Sequence, residues 1–245
     1  MSRIRILLLF PLLGILATFP AIAQTKKSPS DSADYPIFNA PYSAKRHFIS
    51  YTKKADGTVT RDESGGSEAR DSQGRTFSAG ERHWTYSEGT KRVLGSEMLY
   101  RIDDPVANTE IKWDSTSKEA TVIHSPQSDL KRDSLETSCL CNEQAAASNT
   151  GVEKLGTRAI QGLVAEGTRS SYTVPIGLDQ NDKPYIVVHD SWYSPKLKIV
   201  ILETNDDPSS GSTRNELIDI NLGEPDTKQY RPPTDYVIHD LQMPS

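Results

Sequence analysis

Thr109-Glu-Ile-Lys-Trp-Asp-Ser-Thr-Ser-Lys-Glu-Ala-Thr-Val-Ile-His124 decides the fold class. Its first six residues alternate. Thr109, Ile111 and Trp113 lie on one side, Glu110, Lys112 and Asp114 on the other, which is the period-two pattern of a half-buried strand. Ser115-Thr116-Ser117-Lys118 is turn chemistry, and Ala120 to His124 returns as a second strand. A chain that builds one clean hairpin invites the same test on its neighbours.

Working outward, most neighbours pass it. Upstream, Met98 to Asp103 puts Met98, Tyr100 and Ile102 on one side, and Asp104-Pro105 stops the run. Lys45 to Thr52 alternates Arg46, Phe48, Ser50 against His47, Ile49, Tyr51, and the Asp56-Gly57 turn leads into a return at Thr58 to Asp62. Glu68 to Thr76 reads strand, turn, strand, with Gln73-Gly74 at the bend. Downstream, strands are expected at Thr157 to Glu166, Thr168 to Val174, Tyr185 to Tyr193, Leu197 to Thr204, Arg214 to Leu222 and Tyr236 to Ile238. Within them Ile199-Val200-Ile201-Leu202 is apolar on both faces, as a covered interior strand would be. Asp-Asp-Pro recurs at Asp103-Asp104-Pro105 and Asp206-Asp207-Pro208, read here as shared turn chemistry. Gln127 to Asn149 breaks the pattern with Leu130, Leu135 and Ala145-Ala146-Ala147, and reads as a short helix or irregular connection. The expectation is a mainly β protein. It is a curled antiparallel sheet or open half-barrel of about nine to eleven strands, with at most one or two short helices.

The N-terminus is an address. Arg3 and Arg5 precede an apolar run from Ile6 to Phe19, and Ala21-Ile22-Ala23 is the small-x-small pattern cut by a signal peptidase. The run is short for a membrane span and no second one follows, so no transmembrane anchor is expected once the signal is cleaved between Ala23 and Gln24. The organisation reads as a signal peptide at 1–23, a flexible leader at 24–41 and one β-rich domain at 42–245 with the insertion at about 127–149. The location reads as periplasmic or secreted. The tag carries two arginines and no acid, so the formal charge of −5 becomes −7 in the mature chain. A net acidic chain without a basic stripe argues against nucleic-acid binding. The whole chain is 35% apolar and the tag holds much of that, which suits a sheet with one dry and one wet face better than a thick two-sided core.

Several segments carry a resemblance. Asn39-Ala-Pro-Tyr-Ser-Ala44, Asp56-Gly57 and Ala69-Arg-Asp-Ser-Gln-Gly-Arg-Thr76 resemble a family of uncharacterised exported bacterial proteins with a "PFSA" start, a "DG" turn and an "RDSxGRTR" hairpin. Ile102-Asp-Asp-Pro-Val-Ala107, Leu155-Gly156-Thr157-Arg158 with Ile160 and Gly162, and Gly167-Thr168-Arg169 also fit that pattern. Phe77-Ser78-Ala79-Gly80 departs from the charged continuation of its hairpin, and 127–149 looks like a variable insertion. The resemblance implies no activity. In the C-terminal half, Trp192-Tyr193, then Ile218-Asp-Ile-Asn-Leu-Gly-Glu-Pro225 and Tyr230-Arg-Pro-Pro-Thr-Asp-Tyr236, are similar to the close of the periplasmic lipoprotein-carrier (LolA/LolB-like) fold. That resemblance implies an open half-barrel around a helical plug, with acyl chains on its concave face. Fold alone does not supply function.

Reactive constellations are few. The chain has no G-x-S-x-G, no HExxH and no CxxC pair. His189-Asp190 and His239-Asp240 are neighbours on strands, so each pair points to opposite faces and makes no base–orienter unit. No catalytic residue, metal site or cofactor is assigned. Cys139-Leu140-Cys141 leaves several options open: an incidental local disulfide or free pair, redox chemistry, soft-metal capture or intermolecular pairing. Ile111, Trp113, Val188, Trp192 and Ile199, with Trp84, are the candidate lining of an apolar cavity and equally the material of an ordinary core.

The leading functional expectation is a non-catalytic exported module that binds a lipid, a lipidated protein or an envelope partner. The alternatives are an envelope structural or interaction protein without ligand, a thiol redox protein using Cys139 and Cys141, and a hydrolase with an unusual site.

Overall fold

The computed structural model describes residues 36–124 and 151–242. The signal segment, the cleavage at Ala23 and Gln24, residues 24–35 of the leader, the insertion at about 127–149 and the Cys139–Cys141 pair lie outside the described residues.

Those residues form twelve strands: β1 (Tyr42–Lys53), β2 (Val59–Arg70), β3 (Thr76–Glu88), β4 (Lys91–Asp104), β5 (Thr109–Asp114), β6 (Glu119–His124), β7 (Gly151–Ile160), β8 (Leu163–Val174), β9 (Tyr185–Ser194), β10 (Ile199–Asp207), β11 (Gly211–Leu222) and β12 (Val237–Gln242). They make one open, unclosed sheet in the order β12-β6-β5-β4-β3-β2-β1-β11-β10-β9-β8-β7. The only helical element among the described residues is a 3₁₀ turn at Thr227–Tyr230. The mainly β, open-sheet expectation therefore holds, with twelve strands in place of nine to eleven.

The extra length lies in β2, β3 and β4, which run to 12, 13 and 14 residues. Much of this stretch is charged or glycine-rich, so alternation does not reveal it. A second difference is the β7–β8 turn. It falls at Gln161-Gly162, inside the run expected as one strand from Thr157 to Glu166. Both residues have positive φ, 50° and 76°, as a tight two-residue hairpin turn requires. A third is the closing strand. β12 pairs β6 in parallel, where the other ladders are antiparallel.

Turns are set by short acids that accept backbone N–H groups, the local competition that makes Asp a turn former. Asp104 takes the amides of Val106 and Ala107, both at 2.9 Å. Asp114 takes those of Thr116 and Ser117, both at 2.7 Å. Asp207 takes that of Ser209 at 2.8 Å. The two Asp-Asp-Pro segments thus carry the same device.

Two apolar clusters hold the sheet. One joins Ala69, Phe77, Ala79, Ile102, Trp113 and Ala120 across β2 to β6, with Tyr230 from the 3₁₀ turn against it. The other joins Tyr42, Ala44, Leu163, Ala165, Trp192, Leu197, Ile201, Leu202 and Leu217 across β1 and β8 to β11. Each fully buried Ile or Leu in these clusters stabilises the fold by about 1.5–3 kcal/mol. A bulge between Val200 and Leu202 lets both Ile201 and Leu202 turn inward, which accounts for the two-sided apolar run in β10. The described end of the leader packs against this body. Ile37 and Ala40 are buried, and the Asn39 amide donates to the Ser72 carbonyl at 3.0 Å.

Candidate functional site

The five sequence-selected apolar residues do not meet in one place. Ile111 and Trp113 belong to the first cluster, where Trp113 stacks on Tyr100 with ring centroids 5.1 Å apart. Trp192 and Ile199 belong to the second. The Arg158 guanidinium sits 3.7 Å above the Trp192 ring centroid, a cation–π contact. Its other neighbour is Gly167, directly opposite on β8, where a Cβ would come within 2.7 Å of the ring. Val188 is half-buried on β9 and joins neither cluster. Both tryptophans are therefore enclosed by close neighbours.

The third tryptophan behaves differently. Trp84 is 39% exposed on β3 and stacks on Tyr86, centroids 5.6 Å apart. Its ring lies over Gly95, its partner on β4, where a Cβ would sit 2.2 Å from it. Following the register across the sheet puts Phe48 of β1, Gly66 of β2, Gly80, Trp84 and Tyr86 of β3 and Leu99 of β4 on one side. Phe48, Trp84, Tyr86 and Leu99 are all at least a third exposed. They are uncovered apolar residues of this side, while Leu94 of β4, paired with Thr85, is exposed on the other.

Lower on the same side the side chains are charged and paired. Glu68 accepts from Tyr42 Oη at 2.6 Å and from Arg46 Nε at 2.7 Å, and Arg46 also donates to Asn215 at 3.0 Å. Burial, with Glu68 beside it, pushes the Tyr42 phenol well above its ordinary range. Burial would lower Arg46, but the Glu68 carboxylate outweighs it and the net shift is upward. The guanidinium of Arg70 is buried. It donates to the carbonyls of Ala40, at 2.8 and 3.1 Å, and Leu197, and its position over the Tyr42 ring adds a further contact. Three strands from β2, Glu110 of β5 lies 2.8 Å from Arg101 and 2.7 Å from Lys112, and Arg101 also pairs with Asp103. Arg70 is met by carbonyl oxygens, and the other groups pair opposite charges in place, the condition for keeping charge in a partly dry setting.

The histidine–acid neighbours part company as strand geometry requires. Asp190 is held by Arg169 at 2.6 and 2.8 Å while His189 lies 3.9 Å from Glu203. Asp240 faces His124 at 2.9 Å while His239 lies 3.6 Å from Glu119. Among the described residues no group of three or more His, Cys, Asp or Glu could hold a metal ion. No helix there is long and apolar enough to cross a membrane.

Trp84 stands among the residues selected from the sequence, and alternation would have added Tyr86, two residues along on the same side of β3. What it could not give is their exposure, because that depends on which strands flank β3.

No protein-family model matches the chain, and no curated protein resembles it closely enough to count as a match. Solved structures of similar outline include LprF from Mycobacterium bovis, at 12% identity and a TM-score of 0.31 over 75% of this chain and 87% of that one. The lipoprotein LppX of Mycobacterium tuberculosis gives 17% identity and 0.29 over 74% and 87%. A LolA superfamily protein from Nitrosomonas europaea gives 9% identity and 0.28 over 83% and 96%. At these TM-scores the superpositions are loose, and the architecture rests on the strand pairing itself.

Proposed function

We propose that this chain is a non-catalytic, exported binding module that takes a lipid or a lipid-bearing envelope partner against its open sheet. The observation that carries the reading is the uncovered apolar group of Phe48, Trp84, Tyr86 and Leu99 on one side of an unclosed sheet. Trp84 and Tyr86 stack as an exposed pair, and such rings, with charged neighbours lower on the same side paired, suit an apolar or amphipathic ligand. The export-type N-terminus and the carrier-like C-terminal half support the same reading. The binding surface is the Trp84 side of the sheet, and neither Trp113 nor Trp192 takes part. The reading assigns no reacting group.

The test is purification of the mature protein from its native envelope, followed by solvent extraction and mass spectrometry. A stoichiometric co-purifying lipid, and uptake of a fluorescent fatty acid that the Trp84→Ala, Tyr86→Ala double variant loses, are expected. No lipid and no uptake would end the lipid reading.

A second reading is a structural or interaction protein of the envelope without ligand. It is favoured by the close packing of Trp113 on Tyr100 and of Trp192 beneath Arg158. It predicts a folded, lipid-free protein in the same extraction.

A further inference from the structure

The sheet is continuous at its base and forked above it. β1 and β2 pair all the way to Lys53 and Val59, and β3 and β4 pair all the way to Glu88 and Lys91. Between them, β2 and β3 pair only from Gly66 opposite Gly80 to Arg70 opposite Thr76. Above that point Val59–Gly65 and Glu81–Glu88 each have one ladder filled. Among the described residues, neither has a backbone partner on the side facing the fork. Their exposure agrees: all eight residues of the β3 stretch are exposed, as are all of the β2 stretch but Thr60.

The fork begins at glycines for a steric reason. A Cβ on Gly66 would lie 2.2 Å from the Ala79 carbonyl oxygen, so the close crossing at its base admits no side chain there.

Strand interiors in mid-sheet ordinarily fill both ladders, and an open ladder is a template for another strand. The two sides of this slot differ in chemistry. Towards one side stand Trp84 and Tyr86 of β3, with Phe48 behind on β1. Towards the other, Glu63 bridges Arg61 and His47. A strand paired with β3 would meet the Trp84 and Tyr86 rings, flanked by Arg82 and Glu88, on one side, and Glu81, His83, Thr85 and Ser87, with no aromatic ring, on the other.

We propose that the fork is a strand-addition site: it binds an extended polypeptide segment, alternately apolar and polar, that pairs with the free edge of β3 over Glu81–Glu88. Main-chain hydrogen bonds supply affinity and the period-two pattern supplies selectivity. The occupant is an extended peptide because the unfilled groups are backbone groups on a strand edge. It is amphipathic because the two sides of the slot are. The inference is separate from the lipid reading and stands or falls without it.

The probe is a blocked octapeptide alternating valine and threonine with a lysine at each end, added to the mature protein. Two controls are the same composition with its valines contiguous, and the same sequence N-methylated at alternate amides. Amide hydrogen exchange and tryptophan emission are read together. Trp113 and Trp192 are buried, so a change in emission reports Trp84. Binding of the alternating peptide, slowed exchange at Glu81–Glu88, at least tenfold weaker binding by Trp84→Ala and at least tenfold loss with either control are expected. Trp84 is exposed, so its replacement leaves the fold intact, which a circular dichroism spectrum checks. Equal binding of the methylated peptide would overturn the proposal. Protection appearing instead on the outer edges β7 or β12, or no binding up to about 1 mM peptide, would do the same.

Discussion

The lower half of the β3–β4 hairpin buries Phe77, Ala79 and Ile102, with Tyr100 packed beside them. In the upper half of the same hairpin, Trp84, Tyr86 and Leu94 are exposed, Leu94 to 70%. The two halves share one unbroken ladder from Thr76–Asp103 to Glu88–Lys91. What differs is the company. The lower half is flanked by β2 and β5, while the upper half loses both, since β2 stops pairing at Gly66 and β5 at Leu99. The apolar side changes as well. Below Gly80 it is the side of Phe77 and Ile102, and above it is the side of Trp84 and Tyr86. A strand's own pattern sets which residues share a side, and its neighbours decide whether that side is dry.

The contrast can be broken from the lower half first. Trp113→Ala, in the cluster beneath the hairpin, should cost about 3–5 kcal/mol, and Ile102→Ala about 2–5 kcal/mol, in urea unfolding. A loss below about 1 kcal/mol for both would mean that the lower half is no better packed than the upper. Next, Gly66→Ala drives a methyl group at the Ala79 carbonyl, a backbone atom that cannot swing aside. It should cost about 1–3 kcal/mol and open the fork further down, seen as faster amide exchange at Arg70 and Phe77.

Acid should act on the body. Hydrogen bonds from Thr116 and Ser117 hold Asp114 well below the usual carboxylate range, and Arg169 lowers Asp190. Arg214 and, more weakly, His47 lower Glu216. For each of these the unfolded chain binds the proton more readily than the folded one. The stabilisation is therefore complete above the unfolded value near pH 4 and drains away as pH falls through the lowered folded value. The melting temperature should be flat from about pH 7 to pH 5 and drop below about pH 4. Asp190→Asn should shrink that drop, and an unchanged acid profile would show that the Arg169 pair contributes nothing.

The smallest effects belong to the upper half. Leu94→Ala should change stability by less than about 0.5 kcal/mol. Gly95→Ala meets only the Trp84 ring, the far end of a side chain that can rotate away. It should leave stability nearly unchanged while shifting tryptophan emission. A large loss from either would show the upper half to be packed against something.

Much of this was legible from residues alone. Thr109 to His124 announced its hairpin, Asp56-Gly57 its turn and Arg214 to Leu222 its strand. The parting of His189 from Asp190 followed from strand alternation. Of the five apolar residues selected as candidate cavity lining, Trp113 and Trp192 are buried in the two clusters. Their division between two clusters was hidden, because Ile111 and Trp113 lie on β5 while Trp192 and Ile199 lie beyond β1 in the sheet order. The upper hairpin was missed because Glu81, Arg82 and His83 interrupt the apolar count just where the side switches.

Local alternation and turn chemistry, written residue by residue, determined that this chain would be strands joined by tight acid- and glycine-set turns. The tertiary structure alone decided that β1 would lie between β2 and β11, that β12 would run parallel to β6, and that β2 and β3 would part above Gly66. Pairing between strands distant in sequence depends on bulges, steric closeness at single glycines and the packing of whole sides. None of these is encoded in a period of two.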